Sequence, residues 1–254
     1  MKVSIITVCL NSGDTIRDTI ESVLGQTWRE VEHIIIDGQS TDNTLKIVDE
    51  YQDRIARIVT GPDKGLYDAM NKGLSIATGD VIGILNADDF YLTNTVIAEV
   101  VASFQKLPDT DMVLGGVDFV HSGNLNRVVR KYKSIGFKPW KLRFGFMAPH
   151  PGAFVRRKAY EKVGPYKIDY QISADFDFML RAFLVHKLKF ITIDKIWVRM
   201  RLGGVSTSGV RSYKIITQEM YRSFKENSLY SNMFFLLLRF PVKLLQLVSL
   251  QVWR

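Results

Sequence analysis

A chain of 254 residues, 46% hydrophobic and 24% charged, can bury a sizeable core and has the composition of an ordinary globular protein. Its single cysteine, Cys9, excludes a disulfide framework and, inside an apolar run, reads as a small core hydrophobe in a reducing compartment. The net charge of +8 conceals an asymmetry: residues 1–126 hold 9 Lys/Arg against 19 Asp/Glu (−10), and residues 127–254 hold 25 against 7 (+18), an acidic half suited to holding a cation and a basic half suited to phosphates, acidic lipids or nucleic acid.

Residues 3–10 (VSIITVCL) form a short run rich in β-branched side chains, as in a strand buried on both faces. No signal peptide is read at the start, because Lys2 leads into an apolar run that Asn11 and Ser12 interrupt, so a cytoplasmic protein is expected. After a turn at 11–14, residues 15–26 carry Ile16, Ile20, Val23 and Leu24 at helical spacing. A second buried strand over 33–36 ends at Asp37, and Ser40 or Thr41 caps a helix running to about Tyr51. A strand is expected over 55–59, and a helix over 66–77 with Leu66, Met70, Leu74 and Ala77 inward. The strand over 81–85 runs into Asn86-Ala87-Asp88-Asp89, and a helix over 95–105 and a strand over 112–115 follow. Such alternation implies a parallel, right-handed α/β sheet, with ligands beyond the carboxyl ends of the strands. Asp37 and Asp88, each just past a buried strand, therefore project into one crevice.

The second half is less regular. Strands are expected over 113–120 and 128–132, over 152–155, and as two pieces over 189–193 and 197–201. Helices are expected over 158–163, over 174–184 with Asp175 in the first turn, and over 213–226; residues 203–206 form a loop. The tail, 229–253, is dominated by Leu, Phe, Met and Val, but Arg239, Pro241 and Lys243 interrupt it. No stretch reaches the ~20 uninterrupted apolar residues of a spanning helix. Two readings stand for it: a kinked helix in the bilayer interface, with Arg239, Lys243 and Arg254 among lipid head groups and Trp253 at the boundary, or a helix packed on the core or a partner.

Several carboxylates carry candidate chemistry. Asp37, followed by Gly38, either accepts hydrogen bonds from a nucleobase or ribose or serves as a turn aspartate. Asp63, in Gly61-Pro62-Asp63-Lys64-Gly65, has the same two readings. Asp68 shares a helix face with Asn71 and Lys72, which is either functional or simply solvated. In Asn86-Ala87-Asp88-Asp89 an apolar strand runs into adjacent carboxylates, a costly arrangement unless a cation or donors compensate. Oxygen ligands at a strand end, with one Cys and few His in the chain, favour Mg²⁺ or Mn²⁺ over Zn²⁺, and a capping aspartate is the alternative. Asp175, flanked by Ala174 and Phe176, is placed to have a raised pKa and take a proton from a hydroxyl, or else to sit at a helix N-terminus where the macrodipole favours it; Asp177 points elsewhere.

VSIITVCLNSGDTIRDTIESVLGQTW, HIIIDGQSTDNT, GPDKGLYDAMNKGLSIATGD, VIGILNADD and SADFDFMLR, in that order over residues 1–205, together resemble family 2 glycosyltransferases of the GT-A fold. The resemblance implies an α/β GT-A catalytic domain over 1–210, with a nucleotide-binding half at 1–126 and an acceptor half at 127–210. Residues 211–254 then form a C-terminal helical segment, for whose tail the two readings above, membrane contact or packing on the protein, both stand. It implies inverting transfer of one hexosyl or N-acetylhexosaminyl unit from a nucleotide-diphosphate sugar, UDP-sugars favoured, to a glycan or lipid-linked acceptor of cell-surface polysaccharide or glycolipid synthesis, at the cytoplasmic face of the inner membrane. Asp37 and Asp63 correspond to residues near the base, with Thr7, Asn11, Asp68, Asn86 and Ala87 also counted as donor-binding. Asp88 corresponds to the metal-ligating end of the D-x-D element, holding Mn²⁺ or Mg²⁺ with help from Asp89, and Asp175 to the catalytic base. His150 and Ser206 are candidates for the acceptor or diphosphate.

There are departures: Asn86 replaces the first Asp of D-x-D, no histidine follows His186 to join a metal, and the Q-x-x-R-W element of processive synthases is missing. Asn86 is also the one feature favouring a catalytically inactive, membrane-bound scaffold on the same fold. A dinucleotide-dependent oxidoreductase is disfavoured because no G-x-G-x-x-G follows the first strand, and nucleic-acid binding because the basic residues lack aromatic interleaving of the RNP kind.

Overall fold

The computed structural model describes residues 1–203 and 209–241. In chain order these form β1 (Val3–Cys9), α1 (Ile16–Leu24), β2 (Val31–Asp37), α2 (Thr44–Asp49), β3 (Arg57–Thr60), α3 (Leu66–Ile76), β4 (Val81–Ile84), β5 (Phe90–Tyr91), α4 (Val96–Lys106), β6 (Met112–His121), β7 (Asn124–Tyr132), β8 (Ala153–Arg156), α5 (Arg157–Val163), α6 (Ala174–Leu180), β9 (Phe190–Arg201), α7 (Val210–Glu226) and α8 (Met233–Leu237). Among the described residues nine strands make one sheet in the order β3-β2-β1-β4-β8-β6-β9-β5, with β7 added beside β6.

The first four positions of that order, β3-β2-β1-β4, are parallel, as alternation of apolar strands and amphipathic helices dictates. Beyond β4 the sheet departs from the expected pattern: β8 runs antiparallel to both β4 and β6, β7 is antiparallel to β6, and β9 returns parallel to β6. Side chains alternate across the sheet. Ile6, Val8, Ile34 and Ile36 pack under α3 and α6, while Val3, Ile5 and Val81 pack under α4 with Trp197. Ile16 and Ile20 of α1 meet Ile35 and Val48 in a third cluster. Met220 of α7 and Leu236 of α8 join the first of these clusters, so the helices after residue 209 share its core.

Several local expectations are corrected. The two pieces at 189–193 and 197–201 are one strand, β9, whose pairing with β6 shifts register beside Gly115 and Gly116. Gly115 is needed there, since a Cβ on it would lie 2.0 Å from the Trp197 ring. The second helix starts at Thr44 rather than after Ser40 or Thr41, because those two residues bond to Asn11 and Asp42 instead takes the Thr44 N–H at 2.9 Å. Leu66 is exposed, and Tyr67 turns inward in its place. The helix expected over 174–184 is α6 followed by a π-helical turn at Arg181–Val185. In the tail, Arg239 is buried, donating to Thr217 Oγ1 at 2.7 Å, and does not stand among head groups. Lys243, Trp253 and Arg254 lie outside the described residues, as does Ser206. Among the described residues no helix is long and apolar enough to cross a membrane.

Candidate active site

Three loops at the carboxyl ends of β2, β1 and β4 face one edge of the sheet. Asp37, the last residue of β2, is fully buried, and its Oδ2 accepts the Ser40 N–H at 3.0 Å. Cys9, its partner across the ladder, lies 3.6 Å from Asp37 Oδ1, and burial followed by that carboxylate pushes the thiol up, leaving it inert at neutral pH. Asn11 adopts a left-handed backbone (φ 49°) and bridges the neighbouring loops, with its N–H on Ser40 Oγ and its Oδ1 accepting from Thr41 N, both at 2.8 Å. The 61–65 loop closes against the same place. Gly61 N donates to Asp37 O, and the Asp63 carboxylate lies so close to Gly38 that a Cβ there would stand 2.5 Å from Asp63 Oδ2. Asn11, Asp37 and Asp63 thus form one cluster. Asp68 braces that loop from behind, its Oδ2 accepting Lys64 N at 3.0 Å and pairing with Lys72 at 3.4 Å. The Lys64 N–H and the nearby lysine hold its carboxyl below the usual range.

The acidic turn follows β4, across β1 and roughly 10 Å from Asp37 at the usual ~4.8 Å strand spacing. Its main chain is fixed by two long-range anchors. Thr19 on α1 donates to the carbonyls of Ala87 and Asp89 at 3.0 and 2.7 Å. Arg201, buried at the end of β9, donates to the Asp88 carbonyl at 2.6 Å and pairs with Asp18. Burial raises the carboxyl of Asp88, and raises that of fully buried Asp89 well above its ordinary value with the Asp88 charge adding to it. Both Asp89 oxygens and Asn86 Oδ1 are buried without a hydrogen-bond partner. A carboxylate so placed is costly unless it is protonated or meets a cation. Among the described residues no group of three or more His, Cys, Asp or Glu gathers as a metal cage. Two adjacent carboxylates with an unsatisfied amide oxygen nevertheless fit the donor set of Mg²⁺ or Mn²⁺, which bind through one or two carboxylates and complete their shell with water and phosphate.

Asp175 stands in the first turn of α6, partly buried, with Oδ1 accepting the Phe176 N–H at 2.7 Å. Burial lifts its carboxyl to about 6, opposed by that N–H and aided by the Glu219 charge. Tyr67, Tyr132 and Tyr166 face it; burial raises all three phenols, and the Asp175 charge adds to each. Glu219, on α7, fixes the approach to α6: its two oxygens accept the N–H groups of Gln171, Ile172 and Ser173 at 2.6, 3.1 and 2.9 Å. The Tyr67 hydroxyl donates to the Ile172 carbonyl. Tyr67 sits in the first turn of α3, directly after the Asp63 loop, so that turn links the Asp37 cluster to Asp175. A cleft of about 310 Å³ opens between residues 64–67 and 168–171. Asp177, two residues on, is fully buried and points away, accepting from Ser223, Lys167 and Asn227 on Oδ1 and from Arg181 on Oδ2.

Two candidates do not reach this edge. Thr7 alternates with Val8 along β1, so its hydroxyl is buried beside His33 Nε2 at 3.0 Å. His150 is buried with Nε2 2.7 Å from the Tyr166 hydroxyl, which meets Tyr160, and burial lowers its imidazole to about 4. Glu219, Arg201, Thr19 and Tyr67 escape sequence reasoning because their partners lie 46 to 183 residues away.

A family model described as Glycosyl transferase family 2 matches residues 4–164. An uncharacterized glycosyltransferase of Mycobacterium tuberculosis is 32% identical over 219 residues, covering 84% of this chain and 78% of that one. The UDP-Glc:alpha-D-GlcNAc-diphosphoundecaprenol beta-1,3-glucosyltransferase WfaP of Escherichia coli is 42% identical over 95 residues, 37% of this chain and 38% of that one. The crystal structure of S. aureus TarS 1–349 in complex with UDP-GlcNAc superposes with a TM-score of 0.70 at 18% identity, covering 88% of this chain and 66% of that one. The chain is thus a glycosyltransferase of family 2 with the GT-A fold.

Proposed function

We propose that this glycosyltransferase moves one hexosyl or N-acetylhexosaminyl unit, with inversion, from a UDP-sugar to a hydroxyl of a glycan or lipid-linked acceptor in cell-surface glycan synthesis. The observation that carries the reading is Asp175, a carboxylate lifted to about 6 by burial and locked at a helix start, ionised at neutral pH yet basic enough to take a proton. It removes the acceptor's hydroxyl proton as that oxygen bonds to the anomeric carbon. The bond from that carbon to the diphosphate breaks on the opposite face, and the nucleoside diphosphate leaves with the electron pair.

Asp37 and Asp63, clustered with Asn11, hold the base and ribose. Asp88, with Asp89 beside it, would hold Mn²⁺ or Mg²⁺, which when bound supplies positive charge to the departing diphosphate. A UDP-linked donor is supported by the UDP-GlcNAc complex of the S. aureus protein, and a lipid-linked acceptor by the name of the E. coli enzyme. The enzyme works at the cytoplasmic face of a membrane on this reading.

The test is a thermal-shift screen of UDP-, GDP-, dTDP- and CMP-sugars with Mn²⁺, followed by transfer assays with Asp175→Asn. Stabilisation by a UDP-sugar with loss of transfer in the variant is expected. Undiminished transfer by Asp175→Asn would remove the base.

A further inference from the structure

Three of the four most exposed large apolar side chains among the described residues, Tyr230 at 68%, Phe234 at 66% and Trp140 at 54%, stand on one face. Two segments far apart in sequence build it. The short 3-10 helix Pro139–Phe144 meets α8 through Phe144 stacked on Phe235 at 5.1 Å, and Trp140 packs edge-on to Phe144 at 5.9 Å. Arg143 donates to the Tyr230 carbonyl, and Ser231 Oγ donates back to the Arg143 carbonyl at 2.8 Å. Leu142 and Leu236 anchor the two segments in the core, so the aromatic side chains are presented outward from a fixed base.

The stretches of chain that build this face carry charge of one sign. From residue 119 to 160 the chain has 10 Lys/Arg and no Asp or Glu, and no acid follows Glu226. Lys138 is exposed beside Trp140, and Lys141 lies 6.0 Å from the Trp140 ring. A second copy would set this patch against itself, as a two-fold contact requires, and bring cation against cation. An anionic partner with an apolar interior has no such conflict: Trp and Tyr rings settle at a membrane–water boundary, and lysines are drawn to acidic head groups.

We propose that the Trp140–Phe234 face docks on an anionic lipid bilayer, with the aromatic rings inserted at the head-group level and Lys138 and Lys141 on the acidic lipids. A relay of contacts runs from the end of α8 toward Asp175. Arg239, just after α8, holds Thr217, and Glu219 two residues on holds the turn before Asp175. The purpose of the surface rests on the lipid-linked acceptor proposed above, whereas the docking itself does not.

The test is co-flotation of the full chain with phosphatidylcholine vesicles with and without phosphatidylglycerol. Binding is expected to the anionic vesicles and to weaken with salt. Each of Lys138→Gln and Lys141→Gln should cost roughly fivefold in affinity, the equivalent of ~1 kcal/mol, and Trp140→Glu with Phe234→Glu roughly tenfold or more. Because that double variant can misfold, Trp140→Phe is the companion measurement: quenching of the protein's fluorescence by brominated lipid should drop when that ring is replaced. Equal binding to neutral and anionic vesicles, parent-like binding by the double variant, unchanged quenching in Trp140→Phe, or a dimer in light scattering that the double variant dissociates would each overturn the proposal. Asp175→Asn should bind vesicles as the parent does, so loss of docking and loss of the catalytic base are read separately.

Discussion

Glu219 holds the main chain of Ser173, two residues before Asp175, through a carboxylate oxygen 2.9 Å from the Ser173 N–H. With Gln171 and Ile172 bound to the same group, the start of α6 is fixed by a side chain from α7. Glu219→Ala leaves three N–H groups without this acceptor, at about 1–3 kcal/mol for each that stays buried and unsatisfied. We expect kcat to fall roughly tenfold with a smaller change in donor KM. Glu219→Gln keeps an acceptor and removes the charge. Of the groups facing Asp175 (Tyr67, Tyr132, Tyr166 and Glu219), only this one is a carboxylate, so the acid limb of the pH profile should move to lower pH. An unmoved limb would reduce Glu219 to a structural brace.

The pH profile of the parent enzyme follows from Asp175. A base must be ionised to act, so kcat/KM should rise with pH through about 6 and flatten above it. Asp175→Asn should lose roughly 10²–10⁴-fold in rate while its melting temperature stays near that of the parent. A profile still falling with an ordinary carboxylate midpoint near 4 would contradict the buried setting.

Asp177 should behave in the opposite way. It is fully buried between Arg181, Lys167, Ser223 and Asn227, tying α6 to α7. Asp177→Ala leaves cations without their partner and should destabilise by about 3–5 kcal/mol, read as an early midpoint in urea. Two aspartates two residues apart thus separate into a catalytic and a structural phenotype.

Asp89 offers a test of the cation that does not depend on turnover. Its carboxyl is raised well above the ordinary value and lacks donors, so Asp89→Asn should leave the melting temperature of the metal-free protein unchanged or higher. Mn²⁺ with UDP should stabilise the parent, EDTA should reverse this, and Asp88→Ala should abolish it. A lower melting temperature for metal-free Asp89→Asn would show that the carboxylate has a structural partner.

Gly38 tests the donor cluster by space alone. A methyl group there would stand 2.5 Å from the Asp63 carboxylate, so Gly38→Ala must push Asp63 or the 61–65 loop aside. Calorimetric affinity for UDP should weaken by roughly tenfold, about 1.4 kcal/mol, with the fold intact. Unchanged affinity would place the base away from Asp63.

The sequence by itself determined the parallel half and the positions of its strand-end carboxylates. Local physics is enough there: an apolar strand must be buried on both faces, its helix must cover it, and the residue that ends it, such as Asp37 or the 86–89 turn, must lie at the carboxyl edge. The same reasoning located Asp175 at the start of a helix. Tertiary structure alone decided the rest. That Thr7 and His150 are interior, that Arg239 turns into the core, and that β8 runs antiparallel depend on partners tens of residues away, which periodicity cannot register. Glu219 looked like any acid on an amphipathic helix until folding set it against three unpaired N–H groups, and Asp89 differs from Asp88 because only its oxygens are sealed from water without a donor.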